Sequence, residues 1–465
     1  MGKARPLSFY WYTPQDQSLN KENLVPAMSL RSMFTIDRFL PLLCLIFATP
    51  GIAQDVLLRS DQSQHWYRGN MHTHSLWSDG DDYPEMIATW YRDHGYQFLV
   101  FTDHNTLHNH ERWIDVEKSK GGMKAFEKLT QTFPADWIQT RETKGRKEVR
   151  LKEFDAVYER LAKAQEYILI QGEEITDNFH RHPVHMCATN TSELLPPTGG
   201  DSIVDVMQRN IDAAISRRER SGETTLVHLN HPNFGYAITA EQLMQVVGEN
   251  FFEVYNGHSG VNNSGDQAHA STERQWDIVN TWRLAKLKLP VMYGLATDDG
   301  HNYFETQPHK GAQPGRGWVM VLTDTLTPDA LVNALEAGHF YASSGVTLEE
   351  IQQTSNNLKV TVKAEPDVSY RIDFIGTRTA FDDTSSAAID DPEKVDTVTR
   401  RYSTDVGKVL KSVEGTVGSY TFEGTELYVR AVVSASRLHP NPSQVGEFER
   451  AWVQPVVVSN AASGR

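Results

Sequence analysis

Cysteine is almost missing from this chain, with Cys44 and Cys187 the only two in 465 residues. The first lies in a segment expected to be removed, so the mature chain has no partner for an internal disulfide. Basic charge is also short, since 45 Lys and Arg stand against 60 Asp and Glu, a formal net charge of −15. Proteins that grip a phosphate backbone show a basic face, so nucleic acid is excluded as an expected partner. Long apolar runs are lacking too. The run over 39–47 falls well below the roughly 20 residues that a spanning helix needs. Low-complexity tracts and sequence repeats are absent as well.

What stands at the N-terminus is the pattern of an export signal. Arg31 and Arg38 precede the apolar run, which ends in small residues with a cleavage position after Ala53. The expectation is a signal peptide over 28–53 and a mature protein that is periplasmic or secreted, with no membrane contact after cleavage. Residues 1–27 are polar and read as a disordered or mis-assigned extension, with translation starting at Met28 or Met33. Leu43 is not the small residue that a lipoprotein signal places before its cysteine, so no lipid anchor is expected. Cys187 reads as a small apolar residue of a buried strand.

The hydrophobic content of 39% is ordinary for a folded globular chain. Single cores stop growing at about 250 to 300 residues, so two domains are expected. From 66 to 344, apolar runs such as YQFLVF, YILIQ, TTLVHL, FFEVY and PVMYGLA alternate with helical patterns such as SIVDVMQRNIDAAISRRE. That alternation implies an α/β fold built on a parallel sheet or barrel. A Lys- and Glu-rich stretch over 107–160 reads as a helical insertion above the strand ends. Beyond 346 the pattern changes to period-two alternation in LKVTVKA, YRIDFIG and ELYVRAVVSAS, which implies a small C-terminal β-sandwich over 350–458.

Nearly every predicted strand ends in His, Asp or Glu, at the end where a parallel sheet gathers its loops. In MHTHSLWSDG, His72 and His74 sit two apart and can face one cavity, with Asp79 following. FTDHN carries Asp103 and His104, and GEEIT carries Glu173 and Glu174, of which only one can face inward. HPVHM contributes His185, LVHLNHP contributes His228 and His231, and TDDGH contributes Asp298, Asp299 and His301. Nitrogen and oxygen ligands without cysteine suit zinc, manganese or iron.

These motifs, in this order, resemble the PHP (polymerase and histidinol phosphatase) family of metal-dependent hydrolases over about 65–345. The EVYNG strand, ATDDGHNY and GHFYASSG are similar to its carbaryl-hydrolase-like branch. The resemblance implies a distorted (β/α)7 TIM-like barrel, the PHP domain, starting near 60 and ending near 345, with two or three divalent ions. By the same resemblance, His72, His74, Glu174 and Asp299 hold one ion. Glu174 bridges to a second held by His185 and His231, and Asp79, His104 and His301 hold a third. The doubled acids leave Glu173 against Glu174 and Asp298 against Asp299 open.

A divalent centre lowers the pKa of bound water to about 7, so hydroxide can attack without a protein nucleophile. The expected activity is therefore hydrolysis of a small-molecule ester. A phosphoester is placed ahead of a carboxylic ester or carbamate, and an exported binding protein with a structural metal site is the alternative of another class. Arg316 in PGRGW and His258 in YNGHSG follow predicted strands and are expected to bind the substrate anion or donate a proton.

Overall fold

The computed structural model describes residues 56–304, 308–391, 394 and 397–458. The signal-peptide segment over 28–53 and the extension over 1–27 lie outside the described residues. All described residues belong to one compact unit.

The apolar runs of the sequence become the strands of one mixed sheet. These are β1 (His65–Asn70), β2 (Phe98–Phe101), β3 (Ile168–Phe179), β4 (His182–Thr189), β5 (Leu226–Leu229), β6 (Phe251–Asn256) and β7 (Tyr293–Thr297). It continues through β8 (Trp318–Thr323), β9 (Phe340–Ser343), β10 (Tyr370–Arg378), β11 (Lys408–Glu414), β12 (Glu426–Leu438) and β13 (Phe448–Val457). In space the order is β7-β6-β5-β4-β3-β2-β1-β8-β9-β13-β12-β10-β11. Strands β1, β2 and β3 run parallel, as do β5, β6 and β7.

Strand β4 departs from the expected all-parallel arrangement, because it pairs antiparallel with both β3 and β5. The cause is local: only His180 and Arg181 separate β3 from β4, and His180 sits at φ 52. A two-residue link can close only a hairpin, since a parallel pair needs a crossover of about a dozen residues. Two reversals restore the direction, so six strands end at one mouth and β4 begins there.

The helices complete the crossovers. Ile203–Ser221, between β4 and β5, starts at Ser202, whose side chain accepts from the Asp205 N–H, and stops at Gly222 with φ 75. Thr272–Trp282, between β6 and β7, is capped in the same way by Ser271. Inside the curled sheet, Phe98, Val100, Ile168, Ile170, Leu226, Phe251, Leu295, Val319 and Val321 form one buried cluster. The edge strand β7 comes back against β8, β9 and β13. There Gln454 uses its side-chain amide to bond both the N–H and the C=O of Gly294 at 2.9 Å, a side chain standing in for a strand neighbour.

The later strands β9 to β13 extend the same hydrogen-bonded sheet. They face a four-stranded antiparallel sheet of Val56–Arg59, Leu348–Gln353, Asn357–Val362 and Val417–Thr421. A second core lies between the layers, with Leu58, Ile351, Leu358 and Val360 against Ile372, Phe374, Val429 and Val453. The stretch over 107–160 is mixed rather than helical. Strands Trp113–Asp115, Thr140–Thr143 and Arg146–Arg150 form an antiparallel sheet beside helices Gly122–Thr132 and Phe154–Leu161. Lys144 and Gly145, at φ 53 and 72, close the hairpin in the left-handed geometry that two-residue turns use.

Candidate metal centre

The nine ligand candidates come from six segments of the chain and meet at the mouth of the parallel strands. His72 and His74 continue the line of β1, held by Asn70, whose Nδ2 donates to the His72 carbonyl at 2.9 Å and to Thr73 Oγ1 at 2.7 Å. His104 follows β2, Glu174 lies within β3, and His185 lies near the start of the reversed strand β4. His231 follows β5, and Asp299 and His301 follow β7. His231 and Asp299 have φ of 21 and 49, so the chain turns sharply as it presents each side chain.

Glu174 and Asp299 organise the inner group. His72 Nε2 lies 3.5 Å from Glu174 Oε1 and 3.3 Å from Asp299 Oδ1. His74 Nε2 lies 3.3 Å from both Glu174 Oε2 and Asp299 Oδ1. On its other side Glu174 Oε1 meets His185 Nδ1 at 3.0 Å and His231 Nε2 at 3.5 Å, so one carboxylate serves two groups. Asp79 organises the outer group, with His301 Nε2 at 3.2 Å and His104 Nε2 at 3.5 Å. His104 also touches Glu174 Oε2 at 2.8 Å through Nδ1.

His72 Nε2, His74 Nε2, His185 Nδ1 and Glu174 Oε2 are buried yet make no hydrogen bond among the described residues. Orphaned polar atoms are costly inside a protein, and here they converge on one another rather than scatter. Cations on the two sides of Glu174 would satisfy these atoms, His72 and His74 on one side and His185 on the other, so the residues fit divalent metals. Burial pushes the Glu174 carboxyl up, but His104, His185 and His72 outweigh it and hold it well below the usual range. Burial and the neighbouring His301 and His104 hold His74 down at about 4, hence neutral. Ionised carboxylate and neutral imidazole are the forms that bind metal. Against their burial, the neighbouring carboxylates raise His72, His104, His231 and His301, so a binding cation must displace protons from these rings.

The doubled acids separate by face. Glu173 points away, accepts from the Leu195 N–H, and is pushed up by burial to about 7. Asp298 accepts from the N–H groups of Gly315, Arg316 and Gly317 and from Tyr91. Asp103 is likewise occupied, by Ser75, Ser78 and His108. His108, given no chemistry from sequence, thus braces the turn that carries His104.

Arg316 is a correction. It is fully buried, and its guanidinium donates to the carbonyls of Gly257, Lys310, Gly311 and Asn441. A fork spent on backbone oxygens ties loops together instead of receiving a substrate anion. His258 stays at the centre, its ring 5.7 Å from that of His301. Its Nδ1 accepts from the Gly260 N–H at 2.8 Å, so Nε2 carries the proton, and burial holds the ring down at about 4. A neutral ring of this kind fits a hydrogen-bond donor better than an acid.

Sequence reasoning passed over Glu253, Asn230 and Asn256. Asn230 Nδ2 bonds Glu174 Oε1 at 2.7 Å, and Glu253 accepts from His72 Nδ1 at 2.7 Å. A glutamate inside the apolar strand FFEVYN was the available signal.

No protein-family model and no curated protein matches the chain. Among solved structures it is similar to a two-domain protein from Bacteroides vulgatus ATCC 8482 containing a predicted PHP-like metal-dependent phosphoesterase. The identity is 14%, covering 87% of this chain and 100% of that one, at a TM-score of 0.36. An amidohydrolase from Chromobacterium violaceum with bound sulfate is 12% identical over 50% of this chain and 87% of that one, at a TM-score of 0.26. Likeness at this level assigns no function, which leaves the geometry of the centre to carry it.

Proposed function

We propose that this protein is an exported metal-dependent hydrolase of the PHP type, acting on a small-molecule phosphoester. One observation carries the reading: nine His, Asp and Glu side chains converge at the strand mouth, and four of their buried atoms, His72 Nε2, His74 Nε2, His185 Nδ1 and Glu174 Oε2, make no hydrogen bond among the described residues. His72, His74, Glu174 and Asp299 would hold one ion, Glu174 with His185 and His231 a second, and Asp79, His104 and His301 a third. Divalent ions in such a set supply Lewis acidity and activate water at neutral pH. His258 donates its Nε2 proton in a hydrogen bond to the substrate anion. The curled sheet with its attached two-layer β region is read as the barrel and sandwich of that family, and the export signal rests on the N-terminal sequence.

A phosphoester is favoured over a neutral ester by the cavity beside the centre. Its volume is about 310 Å³, and Lys124, Lys310, Asp81, Asn302, Gln313 and Phe304 line it, so two lysines face a single carboxylate. Two lysines there stand out in a chain of net charge −15. The segments of His301 and Asp79 adjoin it, since the Asp81 N–H bonds the His301 carbonyl at 2.9 Å. The test is metal analysis of the purified protein, followed by assay against chromogenic phosphomonoester, phosphodiester and aryl ester substrates. Chelator should abolish hydrolysis and Zn or Mn restore it, with phosphoesters cleaved fastest. Fully loaded protein that cleaves none of the three would sink the enzyme reading.

A further inference from the structure

Glu253 is fully buried in β6, and a carboxylate in that position needs strong partners to offset its lost hydration. Its Oε1 lies 2.7 Å from His72 Nδ1 and accepts from Thr297 Oγ1 at 2.7 Å. Its Oε2 accepts from the His231 N–H and from Asn256 Nδ2, each at 2.7 Å. Asn256 in turn donates to Asp299 Oδ2 at 3.2 Å. Three candidate ligands from three different strand ends therefore rest on one carboxylate.

Each contact constrains a ligand in a way that chain connectivity cannot. A carboxylate accepts only, so His72 Nδ1 carries the ring proton and the Nε2 lone pair is left bare toward Glu174 and Asp299. The bond to the His231 N–H pins a non-glycine residue at φ 21, just before Pro232. Asn256 carries the same anchoring on to Asp299.

We propose that Glu253 is the positioning residue of the centre: it sets the His72 tautomer and the His231 turn, and so couples the ions of the inner group. This rests on the metal-centre reading above. Glutamine at 253 must aim an amide N–H either at His72 Nδ1 or at the His231 N–H, opposing donor to donor on one side.

The experiment titrates chelator-stripped full-length protein with Zn(II) against a chromogenic chelator, using Asp79→Ala to identify the outer step. Glu253→Gln should weaken the inner steps by about 10- to 100-fold, the range for loss of a group that orients a ligand, and leave the outer step unchanged. Wild-type affinity at every step, or equal weakening at all steps, overturns the proposal. If Glu253→Gln does not fold, Thr297→Val decides: it removes one donor from Oε1 and should weaken the same inner steps, whereas unchanged affinity overturns the idea. Wild-type protein that takes up no zinc would instead refute the metal-centre reading itself.

Discussion

Two buried charged clusters lie within this fold, and their difference separates architecture from function. At the contact between helix Thr272–Trp282 and β12, Asp277 receives Arg430 through Nε at 2.8 Å and Nη2 at 2.7 Å, and Tyr428 OH at 2.8 Å. The guanidinium also stacks over Trp276 at 4.7 Å. Both Asp277 carboxylate oxygens are engaged, and in this pair only Arg430 Nη1 makes no hydrogen bond among the described residues, so the pair is structural. At the strand mouth the same burial surrounds Glu174 and Asp299, but their histidine neighbours point bare nitrogens at one another. Buried charge alone therefore says little about a site, and unsatisfied donors that converge say much more.

That contrast can be broken most directly at Glu174. Glu174→Gln should cost more activity than the roughly 100-fold expected for loss of an outer partner, because it removes the carboxylate shared by two groups. Metal at a thousandfold excess over Kd should stabilise wild-type protein by about 4 kcal/mol and the variant by far less, measured by denaturant titration. Asp277→Ala should behave in the opposite way. Removing one partner of a buried pair costs about 3 to 5 kcal/mol, yet zinc affinity in the folded protein should not change. A loss of zinc binding in Asp277→Ala would erase the distinction.

A third buried acid sharpens the comparison, because among the described residues Glu85 makes no ion pair, with Lys152 acting on it only from a distance, and no ligands converge beside it. Its Oε1 accepts from Trp137 Nε1 at 3.0 Å, and burial pushes the carboxyl up to about 7 from an ordinary value near 4.5. A raised carboxyl binds its proton more tightly when folded. The resulting stability is complete below pH 4.5 and is lost as pH rises through 7. Glu85→Gln should therefore match wild type near pH 4 and be more stable at pH 8, by roughly 3 kcal/mol. Parallel stability curves for the two proteins from pH 5 to 8 would contradict this.

Much of the site was legible because strand ends announce themselves. An apolar run stopping at His or Asp is conspicuous, and His72, His74, His104, His231, Asp299 and His301 follow such runs directly. Other features were written locally but read past. The two residues between β3 and β4 require a hairpin, and Lys144-Gly145 marks another within the stretch taken for helices. Arg316 misled for a different reason: PGRGW shows an arginine beside a strand, while the carbonyls that consume it come from 257, 310, 311 and 441.

Sequence by itself determined which residue types stand at the strand ends, since the alternation of apolar runs and polar ends survives in one dimension. It also carried the change to period-two β structure after 346. Tertiary structure alone decided that Glu174 rather than Glu173 faces the centre, that Asp298 is spent on backbone N–H groups, and that Glu253 stands behind His72. Those outcomes depend on which face of a curled sheet points inward and on partners up to 181 residues away in the chain. A hydrogen bond at that separation leaves no periodic trace in sequence, because it is set by the packing of strands rather than by the residues beside it.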